Sequence, residues 1–180
     1  YSLGFKSLED EIIMKSYLSD FVQNFESDEY FQDQTKESVS DPYIINDEIT
    51  DHFHQKITEL LSNKEQFKMW MTSFLSTPRG AIDEGEIFLE EDILELAKTS
   101  SIMKDVYTKI AVTPRENDYA VAVNNQLYSL NENSYLIFEQ WFKTSPFDQV
   151  SMDFKKLDNQ LWPLLIDLFK NGTLFFDDMN

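Results

Sequence analysis

At 180 residues the chain is long enough for one or two domains, at roughly 150 residues each, and 42% hydrophobic with 14% aromatic residues excludes a disordered polymer. Its net charge of −18 is spread over both halves, with 7 basic against 15 acidic side chains in residues 1–80 and 8 against 18 in 81–180. Direct DNA or RNA binding is therefore disfavoured, because that affinity rests on Lys and Arg displacing counterions. With no cysteine there is no disulfide, thiol nucleophile or zinc–cysteine site, and no apolar run reaches the ~20 residues of a transmembrane helix.

The first five residues, "YSLGF", place Tyr1, Leu3 and Phe5 on one face of an extended segment and predict a β-strand. No partner strand follows for about a hundred residues, which leaves open where its sheet lies. Next comes an amphipathic helix, with Ile13, Tyr17, Phe21 and Phe25 at helical spacing and Leu18 and Val22 beside them. Ser7 with Asp10 three residues on resembles a capping box for it. Residues 26–43 are polar, end near Pro42 and predict a long connection, with Tyr30 and Phe31 as an anchored pair.

A second helix is predicted from a cap at Asn46, with Ile49, Phe53, Ile57, Leu60 and Leu61 as its stripe and Asn63 as its breaker. A third runs to Pro78 with Phe67, Trp70, Met71 and Phe74 on one side. A stripe this aromatic suits a core, and it also suits a homodimer interface, where aromatics and Met are enriched. The candidate interface residues are Phe21, Phe25, Phe67, Trp70, Met71 and Phe74.

Pro78, Gly80 and Gly85 then predict a linker over 80–88 between a helical domain (7–79) and a second domain (89–180). In the second domain a short helix precedes alternation from Val106 to Val112, which predicts a strand. Two more strands flank Asn124-Asn125, a pair that tolerates the positive φ of a tight hairpin. Helical patterns return at "NSYLIFEQWFK" and "DNQLWPLLIDLFKNG". Asp158 or Asn159 caps the latter, Pro163 implies a late start or a slight kink, and Gly172 stops it in the left-handed conformation. "TLFF" is a closing strand. The fold class is α+β, predominantly helical.

No chemistry stands out. His52 and His54 are two apart, so on a helix they point about 200° from each other; a zincin needs His at i and i+4 with Glu between. Solvent-facing histidines are the simpler reading. "DEGEIFLEED" lacks the alternating ligands and mid-loop Gly of a calcium hand and suits a solvated acidic helix start. There is no Gly-rich phosphate loop or G-x-S-x-G elbow. The predicted catalytic and metal-ligating residues are none.

Three stretches carry a resemblance. "YSLGFKS", "QFKMWMTSFLSTPR" and "LFKNGTLFFDD" resemble, in order and separation, the C-terminal portion of bacterial ribosomal oxygenases, cupin-fold enzymes of the JmjC type. Such enzymes use Fe(II), held by two His and one carboxylate, and 2-oxoglutarate to hydroxylate a ribosomal protein side chain, arginine in the best-known bacterial members. The resemblance implies that residues 1–6 are the last strand of an absent catalytic barrel. A helical dimerisation domain and a winged-helix-like domain would follow. Neither His52 nor His54 matches the family's iron ligands, so no cofactor is expected in this chain itself, and which of Ser2, Gly4 and Lys6 faced the cofactor pocket is left open. The expected partners are a second copy of the chain and a basic ribosomal protein, with no membrane and a cytoplasmic location. The alternative is a stand-alone acidic adaptor for a basic protein. A DNA-binding winged helix ranks last, since "NSYLIFEQWFK" offers one Lys and one Glu.

Overall fold

The computed structural model describes residues 9–24, 47–143 and 149–177. The expected strand at Tyr1–Phe5, the Ser7 cap position, Phe25 and the Tyr30–Phe31 pair lie outside the described residues. The chain divides into two compact units, Tyr1–Phe67 and Lys68–Asn180.

In the first unit, α1 spans Asp10–Gln23 and α2 spans Asp47–Leu61. Helix α1 begins two residues later than a Ser7 cap requires. Glu9 takes the N-cap position without a side-chain bond, and Asp10 and Glu11 in the first turn favour the helix dipole instead. Its one buried side chain is Tyr17, which meets Phe67 edge-on at 4.9 Å and Phe21 at 6.2 Å. Helix α2 has no Pro or Gly, and Thr58 returns its hydroxyl to the His54 carbonyl at 2.8 Å. Asn63 does more than end α2: its Oδ1 accepts from the Gln66 N–H at 3.0 Å and so caps α3, Lys64–Leu75.

The second unit holds α4 (Glu90–Leu96), β1 (Ser101–Lys104), β2 (Ile110–Pro114), β3 (Tyr119–Val123), β4 (Gln126–Leu130) and α5 (Glu132–Lys143). It continues with β5 (Gln149–Val150), a 3-10 turn at Phe154–Lys156, α6 (Leu161–Lys170) and β6 (Leu174–Asp177). Two antiparallel three-stranded sheets form, ordered β5-β1-β6 and β2-β3-β4. In the first, Ile102 pairs with both Val150 and Phe176, so strands more than 45 residues apart close on one short segment. In the second, Asn124 (φ 51) and Asn125 (φ 69) make the expected tight turn between β3 and β4.

The strand predicted from Val106 starts only at Ile110. Alternation is present from 106, but the Asp105 carboxylate accepts the Tyr107 N–H at 2.7 Å and its carbonyl accepts from Thr108. That local turn outcompetes a ladder, leaving Val106 and Tyr107 exposed.

Strand β3 is covered on both faces. Val121 and Val123 join the core of Ile93, Ile102, Leu130, Phe138, Trp141, Leu161, Leu165, Leu168, Phe169 and Leu174. On the opposite face, Ala120 pairs with Thr113, whose hydroxyl meets that of buried Thr72 of α3 at 2.6 Å. Alanines at 120 and 122 leave room for α3. Helix α6 supplies much of the core because Leu161, Leu164, Leu165, Leu168 and Phe169 recur at i, i+3, i+4, i+7 and i+8. The Asp158 carboxylate caps it, accepting from Gln160 and Leu161 N–H at 2.9 Å each. Pro163 falls within the first turn, where its missing N–H costs nothing. Gly172, at φ +71, ends the helix as expected.

Candidate functional site

The aromatic candidates fall into both units. Phe21 and Phe67 are half-buried with Tyr17 in the first. Trp70, Met71 and Phe74 are half-buried in the second, with Trp70 and Phe74 stacked at 4.8 Å. Phe25 lies outside the described residues.

Two apolar stripes of the first unit are more exposed than those candidates. On α1, Met14, Leu18 and Val22 recur every four residues and are 54%, 38% and 72% exposed. On α2, Phe53, Ile57 and Leu61 do the same at 46%, 56% and 42%. The four-residue spacing keeps each set on one face. Sequence patterning marked these residues, except Met14, as apolar positions but assigned the interface to Phe21, Phe25, Phe67, Trp70, Met71 and Phe74.

His52 and His54 are both exposed on α2. Among the described residues no group of three or more His, Asp or Glu side chains is placed to hold a metal ion, and none of the helices is long and apolar enough to cross a membrane. The residues described do not fit an iron centre, and no step through one follows for this chain.

The second unit carries a cleft of about 680 Å³ that sequence patterning gave no sign of. Three segments build it: Glu84, Gly85 and Ile87 from the strap before α4; Gln126, Leu127 and Tyr128 from β4; and Asp167, Lys170 and Asn171 from the end of α6. The strap is pinned. Gly85 donates its N–H to the Lys170 carbonyl at 3.1 Å, and Phe88 inserts edge-on against Phe169 and Phe176 at 5.4 and 5.5 Å. Between these two anchors Ile87 stays 76% exposed.

A hydrogen-bonded chain forms the wall. Tyr128 donates its hydroxyl to Gln126 Oε1 at 2.8 Å, and Asn171 Nδ2 donates to the same oxygen at 2.7 Å. Asn171 Oδ1 in turn accepts from the Thr173 N–H at 3.1 Å. Burial, with the Asp167 carboxylate adding to it, pushes the Tyr128 phenol up to about 12, so it stays a neutral donor. Oε1 is occupied twice, and the amide N–H groups of exposed Gln126 have no acceptor among the described residues. The cleft can therefore offer carboxylates, an amide donor and aliphatic surface.

No protein-family model matches the chain, and no curated protein does. Solved structures do. The crystal structure of Escherichia coli ribosomal oxygenase YcfD superposes with a TM-score of 0.65 at 16% identity, covering 96% of this chain and 47% of that one. YcfD in complex with cobalt and succinic acid gives 0.64, 16%, 96% and 48%. YcfD in complex with cobalt and 2-oxoglutarate gives 0.64, 15%, 96% and 47%. The chain thus shares a fold with part of a ribosomal oxygenase, and it spans about half the length of the solved structures it matches.

Proposed function

We propose that this chain is a non-catalytic portion, serving dimerisation and substrate approach, of a 2-oxoglutarate- and Fe(II)-dependent oxygenase that hydroxylates a ribosomal protein side chain, with arginine the expected residue. The observation that carries the reading is the fold likeness to YcfD over 96% of the chain but only about half of that enzyme. Iron and 2-oxoglutarate would be held by the remainder of the longer protein, which would work in the cytoplasm. Within this chain, residues 7–79 form the dimerisation domain and 89–180 a winged-helix-like domain, joined through 80–88. The exposed stripes Met14–Leu18–Val22 and Phe53–Ile57–Leu61 support an isologous contact between two copies. Phe21, Phe25, Phe67, Trp70, Met71 and Phe74 remain the candidates for that contact read from the sequence.

Net charge of −18 favours a basic partner through steering more than contact energy. The same charge favours the second reading, an acidic adaptor that binds a basic protein with no chemistry of its own. Turnover separates the two. The longer protein should convert 2-oxoglutarate to succinate in the presence of a ribosomal protein substrate, while the 180-residue chain alone should not. Absence of turnover by the longer protein would leave the adaptor standing.

A further inference from the structure

We infer that the cleft between the 84–87 strap, β4 and the end of α6 binds an extended peptide segment in which basic and aliphatic side chains alternate. The inference rests on the proposed reading only for the choice of a basic partner protein.

Two carboxylates, Glu84 of the strap and Asp167 of the helix, line the cleft against the single ammonium of Lys170. Glu84 and Asp167 make no ion pair among the described residues, so their carboxylates are available to an incoming cation. A lone acidic pair on a surface would attract any base. Here the carboxylates flank fixed apolar groups: Ile87 is 76% exposed yet held between the Gly85 and Phe88 anchors, and Leu127 is 42% exposed on a strand. Keeping aliphatic side chains exposed at rigid positions beside unpaired carboxylates suits a partner that brings both kinds of group. The amide of exposed Gln126 can donate to a carbonyl of the partner backbone, which suits an extended segment. In such a segment alternate side chains face opposite ways, so cations and aliphatics can address the carboxylates and the Ile87–Leu127 surface separately.

The test is fluorescence anisotropy of a labelled twelve-residue peptide of alternating Lys and Val, titrated with the 180-residue chain at low salt. A peptide of equal charge with Lys in one block followed by Gly and Ser serves as comparison. Glu84→Gln/Asp167→Asn should weaken binding of the alternating peptide at least tenfold, and Ile87→Ser at least threefold. Glu116→Gln/Glu132→Gln removes the same charge at the far ends of β3 and β4 and should weaken it less than twofold. All five substituted positions are exposed, so a thermal melt of each variant should match the parent. Any other pattern overturns the proposal, including no binding, equal loss for both acidic pairs, or equal affinity for the block peptide, which would mean attraction to overall charge alone. Failure here would leave 2-oxoglutarate turnover by the longer protein untouched, whereas failure of the proposed function would appear in that turnover.

Discussion

Gly85 and Gly172 interlock. A Cβ on Gly85 would overlap the Phe169 carbonyl oxygen and come within 2.7 Å of the Gly172 nitrogen, while a Cβ on Gly172 would overlap the Asp83 carbonyl. The strap and the helix-terminating turn therefore touch backbone to backbone, and neither glycine can accept a side chain in place. Gly172 is doubly constrained because it also sits at φ +71.

Alanine at either position should destabilise the second unit by about 1–3 kcal/mol, the usual cost of overpacking a site that cannot relax. Gly80→Ala is the contrast. The atoms nearest its Cβ would be those of the Tyr107 ring, at 2.8 Å, and that residue is 49% exposed and can swing away. Urea unfolding should rank both Gly85→Ala and Gly172→Ala well below Gly80→Ala. Equal midpoints for all three would mean that the strap is not packed as described.

The acid limb of stability should depend on Asp158. Burial is the largest single influence and pushes its pKa up, but hydrogen bonds from Ser134 Oγ and from the backbone of Leu161, Gln160 and Asp158 itself together outweigh it. The net shift is downward. A carboxyl lowered in the folded state stabilises above its unfolded pKa, near 3.9, and that contribution is lost as pH falls through the lower folded value. Asp158→Asn keeps a capping oxygen and should flatten this loss below pH 4. Asp158→Ala should cost about 0.5–2 kcal/mol at pH 7 as a lost cap, while Ser134 Oγ keeps Gln160 Oε1 as an acceptor at 3.0 Å. A stability–pH curve for Asp158→Asn that overlays the parent would refute the assignment.

How legible was this fold? Features set by a few adjacent residues were readable: the Asn124-Asn125 turn, the cap from Asp158, the Gly172 stop and the period of α6. Strands set by distant partners were not. Ser101–Lys104 holds only two apolar residues, and Gln149–Val150 is two residues long. Each becomes a strand only because Ile102 finds Val150 and Phe176 in space. The converse error occurred at Val106–Lys109, where good alternation lost to the carboxylate of Asp105. The cleft was unreadable for the first reason, since its walls come from segments about 40 residues apart. Apart from Met14, the exposed stripes of α1 and α2 were readable as apolar positions, but burial decides which apolar positions remain at the surface.

Alkaline titration should show Tyr128 among the phenols that ionise late. In Tyr128 burial and the Asp167 carboxylate both disfavour the phenolate and raise its pKa from 10.0 to about 12. The unfolded chain then releases that proton first, so stability should decline between pH 10 and 12. Absorbance of tyrosinate should show a component near pH 12 that vanishes in Tyr128→Phe. Because Asp167 is the lesser cause, Asp167→Asn should shift that component down only partly. Complete restoration to pH 10 by Asp167→Asn would reverse the order of causes.

Self-association should run through the exposed stripes of the first unit. Phe53 and Ile57 lie one turn apart on α2, 46% and 56% exposed, with the Phe53 ring edge-on to His52 at 5.3 Å. Light scattering of the chain at tens of micromolar should give twice the mass of one copy. Phe53→Ser/Ile57→Asp should return it to the mass of a single copy, since removing a central apolar anchor costs about 2 kcal/mol or more at an interface, some thirtyfold in Kd. Trp70→Ala supplies the competing outcome. If it dissociates the dimer while the α2 variant remains dimeric, the aromatic face of α3 is the contact and the exposed stripe is not. If the parent is monomeric at every concentration, the dimerisation role falls altogether.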